Sequence, residues 1–126
     1  DLLDREAFLS TKKSAILKGS DATLKSFAEE HLDYINDKGL DFVGRFNGQY
    51  VIGEAKFLTD FGGHQDRQLE DAISLLKTTN ESAIRIAILD GVLYIPNNGS
   101  MHRILTNNSN YNIMSSLVLR DFLYQI

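Results

Sequence analysis

The sequence predicts an α/β domain in which strands alternate with amphipathic helices. Three observations carry that prediction. Asn47-Gly48 lies between two runs rich in β-branched and aromatic residues, which marks a tight β-hairpin. Residues 22–35, and again the segment from His64 onward, carry apolar side chains at a helical period. Ile84-Arg85-Ile86-Ala87-Ile88-Leu89 is a near-continuous apolar run, the pattern of a strand covered on both faces.

The elements follow in order. Residues 2–18 hold Leu2, Leu3, Phe8, Leu9, Ile16 and Leu17 at loosely helical spacing. Gly19-Ser20-Asp21 is a break, and Ser20 or Asp21 caps the next helix. Leu24, Phe27, Ala28, His31, Leu32 and Ile35 form its apolar stripe. Residues 40–46 and 49–57 are the hairpin strands. Thr59-Asp60-Phe61-Gly62-Gly63 is a loop, whose glycines could also form a backbone nest for phosphate oxygens. A helix starts near His64 or Gln65 and buries Leu69, Ala72, Ile73 and Leu76. Asp66 and Glu70 near its start and Lys77 near its end suit the helix dipole. After the strand at 84–89, Asp90-Gly91 offers a turn. Val92-Leu93-Tyr94-Ile95 then reads as a returning strand stopped by Pro96. The asparagine-rich stretch 97–112 reads as a surface connection, or as a loop whose amides read adenine edges. Residues 113–125 read as a helix capped by Asn112. Its Met114, Leu117, Val118 and Leu119 complete the core or form a dimer face.

The hairpin places chemistry. With Asn47-Gly48 as a two-residue type I′ turn, Val43 opposes Ile52 and Asp41 opposes Glu54. Counting outward makes Asp41/Glu54 a non-hydrogen-bonded pair, with Cα atoms about 4.5 Å apart. Like charges facing each other across a ladder repel, and a cation between them removes the repulsion. Lys56 points to the same face as Glu54, while Ala55 points to the other. Hard divalent cations take oxygen ligands of this kind together with water and substrate phosphate. Asp41 and Glu54 are therefore candidate metal ligands, with the Ala55 carbonyl as a third. Lys56 is the candidate group for orienting water or offsetting transition-state charge. A solvated hairpin face is the plainer alternative, and a one-residue slip in register would separate the acids.

Length and composition bound the rest. At 126 residues the chain is one domain with a single core. Hydrophobic content of 43% and charged content of 24% are those of an ordinary globular chain. No apolar run approaches a membrane span, and the N-terminus lacks the form of a signal peptide. The absence of cysteine excludes disulfides, thiolate metal sites and a cysteine nucleophile, and is consistent with the cytosol. The net charge of −4 and pI near 5.3 count against a uniformly basic nucleic-acid binder. A local basic stripe would draw on Lys38, Arg45, Lys56, Arg67 and Arg103.

Asp41…Glu54-Ala55-Lys56 resembles the catalytic signature of the PD-(D/E)XK nuclease superfamily. The longer run Gly53-Glu54-Ala55-Lys56-Phe57-Leu58-Thr59-Asp60-Phe61-Gly62-Gly63-His64-Gln65, with Lys38-Gly39-Leu40-Asp41-Phe42 before it, is similar to a branch of type II restriction endonucleases. The similarity covers about residues 20–90. It implies a restriction-endonuclease-like core, a mixed sheet flanked by helices. It also implies Mg²⁺- or Mn²⁺-dependent cleavage of double-stranded DNA in the cytoplasm of a bacterial-type cell. By the resemblance Asp41 and Glu54 are metal ligands and Lys56 the catalytic lysine. By the resemblance Gln65 is a candidate catalytic residue that contacts the lysine or the backbone. Leu40 stands where the signature's proline would be, and Asp66 where a neutral amide is expected. Glu30 could help bind a second metal but reads more plainly as a solvated helix flank. His31 reads as a stripe-edge residue, His64 as structural, and Arg67 as an exposed side chain or a phosphate contact. Because the chain begins at Asp1, it is expected to be a catalytic core or fragment, 1–126, of a longer chain. Its expected partners are DNA and either a second copy or another segment of the parent chain. A structure-specific or repair nuclease on the same fold, and an inactive nuclease core that only binds, are the alternatives.

Overall fold

The central hairpin forms because its turn residues adopt the left-handed conformation a type I′ turn needs. Asn47 has φ of 53° and Gly48 of 79°. The computed structural model describes residues 1–61, 63–77, 82–94 and 100–126. Strands β3 (Phe42–Phe46) and β4 (Gln49–Leu58) pair from Phe46↔Gln49 to Phe42↔Gly53, the register expected from the turn. The turn is anchored from outside. The Asn47 N–H donates to Ser14 Oγ at 3.2 Å, and its side-chain amide donates to the Ile126 carbonyl at 2.6 Å.

Around the hairpin lies one sheet in the order β1-β2-β3-β4-β5-β6, with β1 (Leu2–Leu3), β2 (Ala15–Leu17), β5 (Ile84–Gly91) and β6 (Ile113–Met114). It is mixed: β2, β3 and β4 run antiparallel to their neighbours in turn, while β1/β2, β4/β5 and β5/β6 are parallel. Parallel neighbours need crossovers, and helices supply them. These are α1 (Arg5–Ser10), α3 (Gly63–Lys77) and α4 (Ser100–Asn107), while α2 (Asp21–His31) joins β2 to β3. Leu24 and Phe27 of α2 pack with Phe8, Val43, Ile52 and Leu75. Leu69, Ile73 and Met101 pack with Leu58, Ala87 and Leu89. On the opposite face, α5 (Ser116–Gln125) lays Leu123, Leu119 and Phe122 against Phe42, Val51, Ile86 and Ile88. Thus α5 finishes the core on its inner side and exposes Leu117, Val118 and Tyr124 on its outer side.

Several expectations are corrected. The segment 2–18 is not one helix. Asp4 caps a short α1 by accepting the Ala7 N–H, and strands flank it. Asp90-Gly91 is no turn, for β5 runs on through it and pairs Leu58↔Gly91. Val92–Tyr94 is a 3₁₀ turn, not a strand; Ile95 and Pro96 lie outside the described residues. The asparagine-rich stretch contains α4, which buries Met101. Residues 113–114 form β6, and the cap of the last helix is Ser115, not Asn112. Asp90 braces that helix start. It accepts from Ser115 Oγ at 2.5 Å and from the Ser116 N–H, bonds that hold its carboxyl below the usual range.

Gly91 is tightly constrained, with φ of 109° and an ideal Cβ position only 1.9 Å from the Leu58 carbonyl oxygen. Gly91→Ala is expected to lower unfolding free energy by about 1–3 kcal/mol, measured as the shift of the urea midpoint. An unchanged midpoint would contradict the close approach.

Candidate active site

The β3–β4 ladder stops one pair short of the acids. Its last pair is Phe42↔Gly53, and the Asp41 N–H goes to the same Gly53 carbonyl at 3.0 Å, so the chain bends there. Asp41 and Glu54 therefore do not form the flat ladder pair expected from the register. The Asp41 side chain takes over where the strand ends. Its Oδ2 accepts the Ala55 N–H at 2.9 Å. Leu40, which the register would put opposite Ala55, gives its N–H to the Asp21 carbonyl instead. In an extended strand the N–H and C=O of one residue point to the same edge. The Ala55 carbonyl thus faces the Asp41 side, beyond the end of the ladder.

Glu54 sits deeper. It is 7% exposed, and its Oε2 is buried with no hydrogen-bond partner among the described residues. Burial raises its carboxyl above the ordinary value. Lys56 pulls it back down, Asp41 pushes it up, Lys38 lowers it and Asp71 raises it. That set of influences maps the site. Lys56 follows Glu54 on the same face of β4, and Ala55 is on the other. Asp71 reaches the site from α3. Leu75, one turn later, packs in the cluster of Ile52, and Glu54 lies two residues past Ile52. Lys38 arrives from the loop before β3 and pairs with Asp71 at 2.7 Å.

Tyr34 fixes that loop. It is 3% exposed, and its hydroxyl donates to the Lys38 carbonyl at 2.9 Å. Burial, reinforced by the Glu54 charge, pushes the phenol up to about 12, so it stays a donor. Sequence reading did not single out Tyr34 or Asp71. Asp71 lies one turn before Leu75, a buried residue that the stripe read from the sequence leaves out.

The other candidates divide. The Gln65 side-chain oxygen accepts the Thr59 N–H at 3.2 Å, tying α3 to the end of β4. Among the described residues no hydrogen bond links it to Asp41, Glu54 or Lys56. Glu30 pairs with Arg5 and, at 3.5 Å, with His31, whose ring lies 4.7 Å from that of Phe27. His64 contacts Gln68. Arg67 and Arg103 are exposed on α3 and α4. Asp66 accepts from the Ser100 hydroxyl. Gly62 lies outside the described residues, so the glycine nest does too, as do 97–99. Arg45 leaves the expected basic stripe. It is 5% exposed, 4.3 Å from the Phe8 ring, and donates to the Phe8 and Lys13 carbonyls.

Among the described residues no cluster of three or more His, Cys, Asp or Glu side chains is poised to hold an ion. The donors at this site are two carboxylates and a backbone carbonyl, a set that suits a hard cation completed by water and phosphate. The buried Glu54 Oε2 is an acceptor for which the described residues supply no donor. These residues fit a divalent cation.

The model of the Tsp45I type II restriction enzyme family matches residues 1–126. The chain belongs to this family. Members of the Tsp45I family are restriction enzymes, which cleave double-stranded DNA. The mixed sheet flanked by helices is compatible with a restriction-endonuclease-like fold. No curated protein and no solved structure matches the chain. No helix among the described residues is long and apolar enough to cross a membrane.

The Glu54 shift sets a pH dependence for the cation-free protein. Below the ordinary carboxyl value both folded and unfolded chains are protonated, and burial carries no penalty. As pH rises, the unfolded chain ionises first and wild-type stability falls until the raised folded value is passed. Glu54→Gln lacks this loss. Its thermal midpoint is expected to exceed wild type at about pH 7 and to converge on it at about pH 4. A gap that does not change with pH would contradict the assignment.

Proposed function

We propose that residues 1–126 form a catalytic domain that hydrolyses phosphodiester bonds of double-stranded DNA with Mg²⁺ or Mn²⁺. Asp41, Glu54 and the Ala55 carbonyl would hold the ion. The observation that carries this reading is the buried Glu54 oxygen without a donor, set beside Asp41 and Lys56. When bound, the ion polarises a phosphoryl oxygen and makes water easier to deprotonate.

The chain's own groups do the rest. The Ala55 N–H fixes the Asp41 carboxylate by one oxygen, which leaves the other without a bond to the strand. Burial of Glu54 shields its charge from bulk water and strengthens its pull on a cation. Lys56 donates from its ammonium to the attacking water or to a phosphate oxygen, offsetting the charge that grows in the transition state. In the reaction the water oxygen bonds to phosphorus, one P–O ester bond breaks, and a proton passes to the departing oxygen. Gln65 acts as a positioning residue, through its hold on Thr59 three residues beyond Lys56.

The test is cleavage of plasmid DNA in Mg²⁺. Glu54→Ala and Lys56→Ala are each expected to lower the rate by at least about a hundredfold. Asp41→Asn is expected to weaken the Mg²⁺ dependence while the cation-free fold keeps or slightly gains stability. Wild-type cleavage retained in the Glu54 and Lys56 variants would overturn the reading.

A further inference from the structure

We infer that Lys38 is a second phosphate-binding cation of the site, parked on Asp71 in the free protein and passed to a phosphate oxygen when DNA binds. This rests on the nuclease reading above and extends it. The Lys38 ammonium lies 2.7 Å from Asp71 Oδ1, and the two side chains are 42% and 56% exposed. An exposed pair of this kind adds little to stability, yet its placement is not casual. Both partners shift the Glu54 carboxyl, and Asp71 is itself held below the usual carboxyl range, first by its hydrogen bond to Lys38.

The root of the Lys38 side chain is held while its tip is not enclosed. Its N–H donates to Asn36 Oδ1 at 3.0 Å, and its carbonyl accepts from buried Tyr34 at 2.9 Å. The loop therefore fixes the main chain from which the Lys38 side chain reaches Asp71. In the free protein that ammonium is engaged by Asp71.

Arg67 and Arg103 are exposed on α3 and α4, but neither is among the charges that shift the Glu54 carboxyl. The chain carries −4 overall, and Arg45 is spent inside the core. Lys38 and Lys56 are the cations that act on Glu54. A DNA phosphate arriving at this edge meets the Lys38–Asp71 pair in the open and can exchange places with the Asp71 carboxylate.

Steady-state cleavage of plasmid DNA in Mg²⁺ tests this. Lys38→Gln is expected to raise KM about tenfold while kcat changes much less. It should also flatten the salt dependence of log kcat/KM by about 0.9. Lys38→Arg should restore KM. Asp71→Asn should lower KM, and that gain should shrink in the Lys38→Gln background. If Lys38→Gln leaves KM and the salt slope unchanged while wild type cleaves, only this inference fails. Equal impairment in Lys38→Gln and Asp71→Asn would make the pair structural and also overturn it. A wild type that does not cleave removes the nuclease reading itself.

Discussion

The site depends on where one β-ladder ends. Had β3 and β4 stayed paired past Phe42↔Gly53, the Ala55 N–H and carbonyl would have been used up by Leu40. Instead the backbone bends at Asp41, and a carboxylate substitutes for a strand carbonyl on the Ala55 N–H. This puts Asp41 beside Glu54 and leaves the Ala55 carbonyl facing the same edge. Glu54 meanwhile stays buried, with an oxygen to which none of the described residues donates. Leaving such a group unpaired costs about 1–3 kcal/mol. The protein compensates with charge rather than hydrogen bonds, through Lys56 and Lys38.

The rest of the fold serves to hold that ladder end in place. Parallel pairing of β4 with β5 extends β4 well past β3, from Val51↔Ile84 to Leu58↔Gly91, so Glu54 and Lys56 ride on a strand supported from one side. Gly91 allows the close approach that finishes this pairing. The α3 crossover then returns over the sheet and carries Asp71, whose charge raises the Glu54 carboxyl. A buried Arg85 on β5 donates to the Leu75 carbonyl and so ties the end of α3 to the same sheet.

Much of this was legible in the sequence, and the exceptions have physical causes. The hairpin register followed from Asn47-Gly48, because a two-residue turn and a period of two leave no freedom. The burial of Ile86, Ala87, Ile88 and Leu89 followed from their apolar run. The point where the ladder stops was not legible, because it depends on Leu40 preferring the Asp21 carbonyl, a contact far away in the chain. The α4 helix was hidden because Met101, Ile104 and Leu105 sit among asparagines, threonine and serine that favour turns. Asp90-Gly91 carries the chemistry of a turn but ends a strand, since a positive φ serves both purposes. Arg45 looked like a surface cation because nothing local reveals that Phe8 and two carbonyls surround it. Tyr34 and Asp71 reach the site only through tertiary packing.

On the proposed reading, the partner that Glu54 Oε2 lacks among the described residues is a divalent cation shared with Asp41. Anomalous diffraction from crystals soaked in Mn²⁺ measures this directly. A peak is expected about 2.1 Å from Glu54 Oε2 and from a carboxylate oxygen of Asp41, with the Ala55 carbonyl at similar range. Saturating Mn²⁺ that leaves no peak there, or that binds only elsewhere on the surface, would contradict it.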